Sequence, residues 1–167
     1  MANYNFKRDL EESKRGVKVA ADFFSTKLGA EIRELPKVEQ HKGDFECAGV
    51  FVEVKFDLMA ARTNNLCFEV DNGKKATGIL ATEADKIVYV VPYADNSGFK
   101  LYVFSRANLL NYLKDPSSSG KFRLVRGGDN HKFGMILVSL DQIVSDNVAE
   151  EVVECLITIT SVKSVKS

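Results

Sequence analysis

Two carboxylates and an amine sit at a spacing that a β-hairpin brings together: Asp44, Glu53 and Lys55, within Gly43-Asp44-Phe45-Glu46-Cys47-Ala48-Gly49-Val50-Phe51-Val52-Glu53-Val54-Lys55. From Val50 to Phe56 the chain alternates, Val50, Val52, Val54 and Phe56 on one side and Phe51, Glu53 and Lys55 on the other. A strand that sends its valines into a core leaves Glu53 and Lys55 side by side on the opposite face. Ala48-Gly49 is short enough for a two-residue turn, with Gly49 free to take φ > 0. That turn pairs Cys47 with Val50, Glu46 with Phe51, Phe45 with Val52 and Asp44 with Glu53. Opposed residues share a face, so the two carboxylates stand roughly 5 Å apart at Cβ. Like charges so placed repel unless a cation lies between them, and a divalent ion with the Lys55 ammonium removes that penalty. The plainer alternative is a solvated strand face with an ordinary Glu-Lys pair.

Asp44 followed by Glu53-Val54-Lys55 resembles the PD-(D/E)xK nuclease motif, with Gly43 where the family has a frequently varied Pro. The resemblance implies an α/β, restriction-endonuclease-like fold with a mixed central β-sheet flanked by helices. It implies that Asp44, Glu53 and the Val54 carbonyl hold Mg²⁺, for which Mn²⁺ substitutes, and that Lys55 orients or activates the attacking water. The family also places an acid on its opening helix. Here Asp9, Glu11, Glu12 and Asp22 are available, and Glu11 beside the apolar stripe is the expected contributor, with Glu12 next in line. First-turn acids favoured by the helix dipole are the competing explanation. Glu11, Lys14 and Lys18 are three and four apart and line one face. Lys14 falls where the stripe from Leu10 to Val17 would continue, a costly place for an ammonium without an anion. That face is therefore expected to overlook the site, with Lys14 and Lys18 near phosphate.

The order of elements resembles the family's helix, hairpin, strand, helix, strand. Asn5 to Leu28 carries apolar residues at Phe6, Leu10, Val17, Ala21, Phe24 and Leu28, near the 3.6-residue period, and Gly29 ends it. Asn65 to Val70 reads as a third strand, Thr77 to Asp85 as a turn with a short helix, and Lys86 to Pro92 as a buried strand. The Asn-x-x-x-Glu strand, Thr-Gly-Ile and Thr-x-x-Ala-Asp are similar to phage and bacterial members, Holliday-junction resolvase-like proteins included. The resemblance covers about Asn5 to Pro92. It makes Glu69, Thr82 and Asp85 supporting positions; on the residues alone they are caps and a solvated face. Beyond Pro92, Phe99 to Phe104 reads as a strand, Ser105 caps a helix through Leu113, and Lys114 to Gly120 is a flexible loop. Strands Phe122 to Arg126 and Met135 to Ser139 flank a polar, glycine-rich loop that is a candidate phosphate contact through Arg126 and Lys132, or a plain mobile loop. Asp141 is expected to cap a short helical turn, and Ser161 to Ser167 to fray.

The 167 residues, 45% of them apolar, suffice for one core, read as a single nuclease-like domain over 1–160 with a tail over 161–167. No run of about 18 apolar residues suggests a membrane span, and the start lacks a secretory signal. Three widely spaced cysteines (Cys47, Cys67, Cys155) fit neither a disulfide scaffold nor a zinc site, and suit a reducing cytoplasm, that of a bacterial host if the chain is phage-encoded. His41 and His131 lie in polar loops without the arrangement of zinc ligands or a triad. Lys plus Arg equals Asp plus Glu, 23 each, so any nucleic-acid affinity is local, modest and salt-sensitive. The expectation is a Mg²⁺-dependent DNA endonuclease, structure-selective in recombination or repair, acting on DNA, branched DNA included, as a homodimer. The alternatives are a sequence-specific or RNA-directed nuclease of the same fold, and a non-catalytic nucleic-acid-binding module with a vestigial site.

Overall fold

The computed structural model describes residues 6–127 and 129–157. Helix α1 (Phe6–Leu28) opens the chain, followed by β1 (Ile32–Glu34), β2 (Phe45–Cys47), β3 (Val50–Phe56), α2 (Ala60–Thr63), β4 (Asn65–Asp71), α3 (Gly78–Ala81) and β5 (Lys86–Pro92). Then come β6 (Gly98–Ser105), α4 (Arg106–Lys114), β7 (Phe122–Gly127), β8 (Phe133–Ser139), α5 (Leu140–Ser145) and β9 (Glu151–Leu156). Six strands make a mixed sheet in the order β1-β2-β3-β5-β6-β9, and β4-β8-β7 make a second, antiparallel sheet. Only β3 and β5 run parallel in the large sheet, because the chain crosses from one to the other through α2, β4 and α3.

β5 is apolar on both sides because both faces of the large sheet are covered. Val88 and Val90 join Val52, Val54, Phe45, Leu101 and Val103 under Ala20 and Phe24 of α1. Ile87, Tyr89 and Val91 point the other way, into a core closed by Leu66 and Phe68 of β4, Ile136 and Val138 of β8, and Leu109 of α4. The helix is seated by its smallest residue. Gly16 is buried, and a Cβ there would stand 2.7 Å from Phe56 Cδ2.

The second sheet is latched to the first through the backbone of one residue. Tyr89 Oη donates to the Cys67 carbonyl at 2.8 Å, and the Asp57 carboxylate accepts the Cys67 amide. Those two groups occupy the side of β4 that has no strand partner.

The hairpin register matches the sequence reading at three pairs, Phe45–Val52, Glu46–Phe51 and Cys47–Val50, but the expected fourth, Asp44–Glu53, does not form: the paired ladder stops at Phe45 and the Asp44 amide donates to the Val52 carbonyl. Ser105 caps α4 as expected, accepting from the Asn108 amide. Other expectations need correction. Asn65 to Val70 is a strand but belongs to the second sheet, pairing with β8. β1 and β9 enlarge the large sheet at its two edges. Residues Pro116–Lys121, read as a flexible loop, form a 3-10 helix capped by Asp115. Ser139, not Asp141, caps α5, its hydroxyl accepting from the Gln142 amide; Asp141 lies in the first turn. The tail expected over 161–167 lies outside the described residues. Among the described residues no helix is long and apolar enough to cross a membrane.

Candidate active site

β3 outruns β2. The last paired residue of β2 is Phe45, opposite Val52, and one further rung, Asp44 N–H to the Val52 carbonyl at 2.7 Å, ends the ladder. Val54 and Phe56 therefore face an edge that no strand covers. The Asp44 side chain takes over there, its Oδ2 accepting the Val54 amide at 2.7 Å. A residue's N–H and C=O point to the same side of a strand, so the Val54 carbonyl looks along the same open edge. Gly43 makes the approach possible: its φ is +131°, and a Cβ there would lie 2.5 Å from the Val52 carbonyl oxygen.

This open edge is the floor of a cavity of about 490 Å³. Asp44, Val54 and Lys55 line it from the hairpin, Asp57 and Met59 from the turn after β3, and Asp9, Glu12 and Ser13 from α1. Asp44 is exposed at the cavity mouth, yet its carboxylate is crowded by surrounding atoms. That desolvation, reinforced by the negative charge of Glu53, raises its pKa above the ordinary carboxylate value; the Val54 amide and Lys55 pull the other way. Glu53 and Lys55 lie on the β3 face away from α1 and form an ion pair with each other. Asp57 is also raised by desolvation, against the opposing effect of backbone amides, among them Ala60 and Met59, which donate to its Oδ1 at 2.9 and 3.0 Å.

α1 is rotated relative to the sequence expectation. Its buried line is Gly16, Ala20 and Phe24, a strict i, i+4 row, and Glu12 continues that row into the cavity. Leu10 and Leu28, assigned to the buried stripe, are exposed. Glu11 is therefore turned about 100° from Glu12, exposed and outside the cavity lining. Lys14 is exposed rather than buried against an anion. Lys18 is exposed too and pairs with Asp22 at 2.9 Å, on the side of the helix facing solvent.

Glu69 lines a neighbouring cavity of about 300 Å³ that shares Lys55, Phe56 and Asp57 with the Asp44 cavity and includes Cys67 and Tyr89. Burial pushes the Cys67 thiol up to about 11. Thr82 and Asp85 serve the backbone, Thr82 Oγ1 accepting the Ala84 amide and Asp85 Oδ2 the Phe51 amide. Arg126 and Lys132 are exposed on the β7–β8 hairpin and line neither the Asp44 cavity nor the Lys55–Glu69 cavity. His41 is exposed, 3.6 Å from Glu83. The three cysteines are free thiols.

Sequence reasoning missed Asp57, which borders both cavities, and Ser13. Asp57 directly follows a strand whose alternation was already clear and continues its Glu53, Lys55 spacing, and this was its available signal. Among the described residues no three His, Cys, Asp or Glu side chains gather into a ready-made metal site; Asp9, Glu12, Asp44 and Asp57 line the same cavity, and Glu53 lies near enough to Asp44 to raise its pKa. Comparison with protein-family models, with curated proteins and with solved structures finds no match to this chain.

Proposed function

We propose that the chain is a Mg²⁺-dependent endonuclease of the PD-(D/E)xK, restriction-endonuclease-like type, hydrolysing phosphodiester bonds in DNA. The observation that carries this reading is the Asp44 carboxylate held at the open edge of β3 by the Val54 amide, near enough to Glu53 to feel its charge, with Lys55 and Glu12 bordering the same cavity.

The donor chemistry fits the metal. Mg²⁺ takes hard oxygen ligands, one or two carboxylates among them, and keeps several waters. Asp44 Oδ1, Glu53 and the Val54 carbonyl are such donors, and Glu12 is a further one on the cavity wall. Asp44, raised by Glu53, belongs to a like-charge pair that a cation relieves. When bound, the ion lowers the pKa of a coordinated water and offsets charge developing on the phosphate oxygens. Asp44 and Glu53 fix where that charge is held, and the bond from Asp44 to the Val54 amide fixes the carboxylate's orientation. Lys55 exchanges its contact with Glu53 for the phosphate and orients the attacking water or stabilises the developing negative charge. Asp9, Glu12 and Ser13 of α1 and Met59 border the cavity on two sides.

A second reading, a nucleic-acid-binding module without catalysis, is supported by the same two contacts taken as purely structural, Asp44 to the Val54 amide and Lys55 to Glu53. Structure-selective action in recombination or repair, a homodimeric state and a cytoplasmic location extend the first reading. The test is incubation with duplex, branched and single-stranded DNA, and with RNA, in Mg²⁺, Mn²⁺ or EDTA. Cleavage that needs the metal and disappears in Lys55→Ala supports the hydrolase, and binding without cleavage under every metal supports the module.

A further inference from the structure

The second sheet ends in a frame that carries three lysines with no ion pair among the described residues. Between β4 and α3 the chain turns through Asn72-Gly73-Lys74-Lys75, closed by a bridge between Asp71 and Ala76. The turn is built from its own polar groups. Asn72 Oδ1 accepts the Lys74 and Lys75 amides at 3.1 and 3.0 Å, Asp71 Oδ1 accepts the Gly73 amide at 2.7 Å, and the Asn72 amide donates to the Lys75 carbonyl. Gly73 has φ +80°, and a Cβ on it would meet the Lys132 carbonyl oxygen at 3.4 Å, so the turn packs on the β7–β8 hairpin. Arg126 ties the two together, its Nη1 donating to Asp71 Oδ1 at 2.9 Å and to the Lys132 carbonyl at 3.2 Å. Lys74, Lys75 and Lys132 are exposed, and among the described residues none has a carboxylate within ion-pair distance. By contrast Lys27, Lys86, Lys100 and Lys121 each meet an acid. In a chain of zero formal charge, these ammonium groups form a local positive excess.

The Asp44 cavity shares Lys55 and Asp57 with the Lys55–Glu69 cavity, which shares Met135 with a third, of about 310 Å³, lined by Asp71, Leu124 and Arg126. We propose that Lys74, Lys75 and Lys132 grip the phosphate backbone of the nucleic acid whose scissile phosphate lies at Lys55. The proposal rests on the phosphodiester reading of the Asp44 cavity. Asp71 lies four residues beyond Cys67 on β4, about 13 Å at the strand's rise, which corresponds to roughly four base pairs of duplex. Three ammonium groups without a planar fork read charge, not bases. Arg126 is a positioning residue here, because its guanidinium is committed to the Asp71 and Lys132 tie.

The test is the salt dependence of binding to a duplex, measured by fluorescence anisotropy in EDTA between 50 and 200 mM salt, conditions chosen because counterion release dominates there. The combined variant Lys74→Gln, Lys75→Gln, Lys132→Gln is expected to reduce the slope of log K against log salt by about 2 to 3, at about 0.9 per phosphate contact. Its Mn²⁺ affinity by calorimetry and its thermal melt are expected to match the parent's. Lys114→Gln, also exposed and without an ion pair, is the control and is expected to leave the slope unchanged. An unchanged slope in the combined variant overturns the proposal, as does an equal loss in the Lys114→Gln control. Parent protein that binds anionic vesicles but no duplex overturns it too. Failure of the active-site reading looks different: the parent then binds duplex with the lysine-dependent slope and cuts nothing. A parent that cuts, beside a combined variant with an unchanged slope, sinks the backbone contact alone.

Discussion

The Asp44 carboxylate accepts the Val54 amide at 2.7 Å, standing where the next backbone carbonyl of β2 would have been. One side chain thus finishes a β-ladder and keeps an oxygen for the open edge it has created. The bond stabilises the ionised carboxylate, while desolvation and Glu53 oppose ionisation, and the balance lies with the opposing pair. Structural and chemical roles for Asp44 are separable because an amide can serve the first and not the second.

In the absence of divalent ions, Asp44→Asn is therefore expected to keep the Val54 contact through its amide oxygen and to be as stable as the parent or slightly more so. Asp44→Ala loses the acceptor and is expected to cost about 1 kcal/mol. Urea melts in EDTA measure both. Calorimetry with Mn²⁺ is expected to find a site in the parent that Asp44→Ala and Glu53→Ala each remove; parent-like binding by both variants would rule out the metal assignment.

The raised pKa of Asp44 sets a pH dependence whose sign follows from linkage. An acid whose folded pKa lies above its unfolded value, near 3.8, binds more protons folded than unfolded in the window between the two. Stability from this group is thus greatest at low pH and falls as pH rises from about 4 through the folded pKa. Asp57 contributes with the same sign, so the diagnostic is the difference between parent and Asp44→Asn. Without metal, the parent is expected to lose stability relative to Asp44→Asn as pH rises through that window, and saturating Mn²⁺ to reverse the difference above it. Parallel pH profiles in EDTA would show that Asp44 ionises in the fold as it does in the unfolded chain.

Lys55→Ala is expected to lower cleavage by orders of magnitude and to leave DNA affinity largely intact, since one cation is a small part of a multi-contact phosphate interface. Single-turnover cleavage and anisotropy on the same duplex separate the two. A parallel loss of both would make Lys55 a binding residue.

The turn and first three pairs of the hairpin were legible because their information is local: alternation over seven positions, a glycine in the turn, and a core that tolerates only one register; the end of the ladder was not, because Asp44 leaves the strand and bonds the Val54 amide with its side chain. The rotation of α1 was not, because Gly16 seats the helix on Phe56 and glycine carries no hydropathic signal. Counting Leu10 and Leu28 as core turned the apparent stripe toward Glu11, and the partner that decides the matter, Phe56, lies forty residues away. The destination of β4 was equally hidden. Asn65 to Val70 reads as a strand in isolation, but its pairing with Phe133–Ser139 is a long-range choice, and the latch from Tyr89 and Asp57 to Cys67 leaves no periodic trace. β1 and β9 sit at sheet edges; β1 is only three residues long and two of them are charged.

Gly16 offers a direct check on that seating. Gly16→Leu places side-chain atoms where Phe56 already stands and is expected to destabilise the fold by about 1–3 kcal/mol through overpacking. Chemical denaturation measures the cost, and a parent-like midpoint would show that α1 does not rest on Phe56.

The helix acid supplies the sharpest comparison, because Glu11 and Glu12 are adjacent in sequence and a third of a turn apart in space. Glu12 extends the Gly16–Ala20–Phe24 row into the cavity that Asp44 and Lys55 line, whereas Glu11 is exposed. Glu12→Gln is expected to lower the cleavage rate at saturating DNA, or raise the Mn²⁺ concentration needed for half-maximal rate, with binding preserved. Glu11→Gln is expected to behave like the parent, and Lys14→Ala to change affinity little because Lys14 faces solvent on α1. The reverse pattern, a defect in Glu11→Gln beside a parent-like Glu12→Gln, would mean that α1 turns on binding substrate. Parent rates in both would confine the chemistry to Asp44, Glu53 and Lys55.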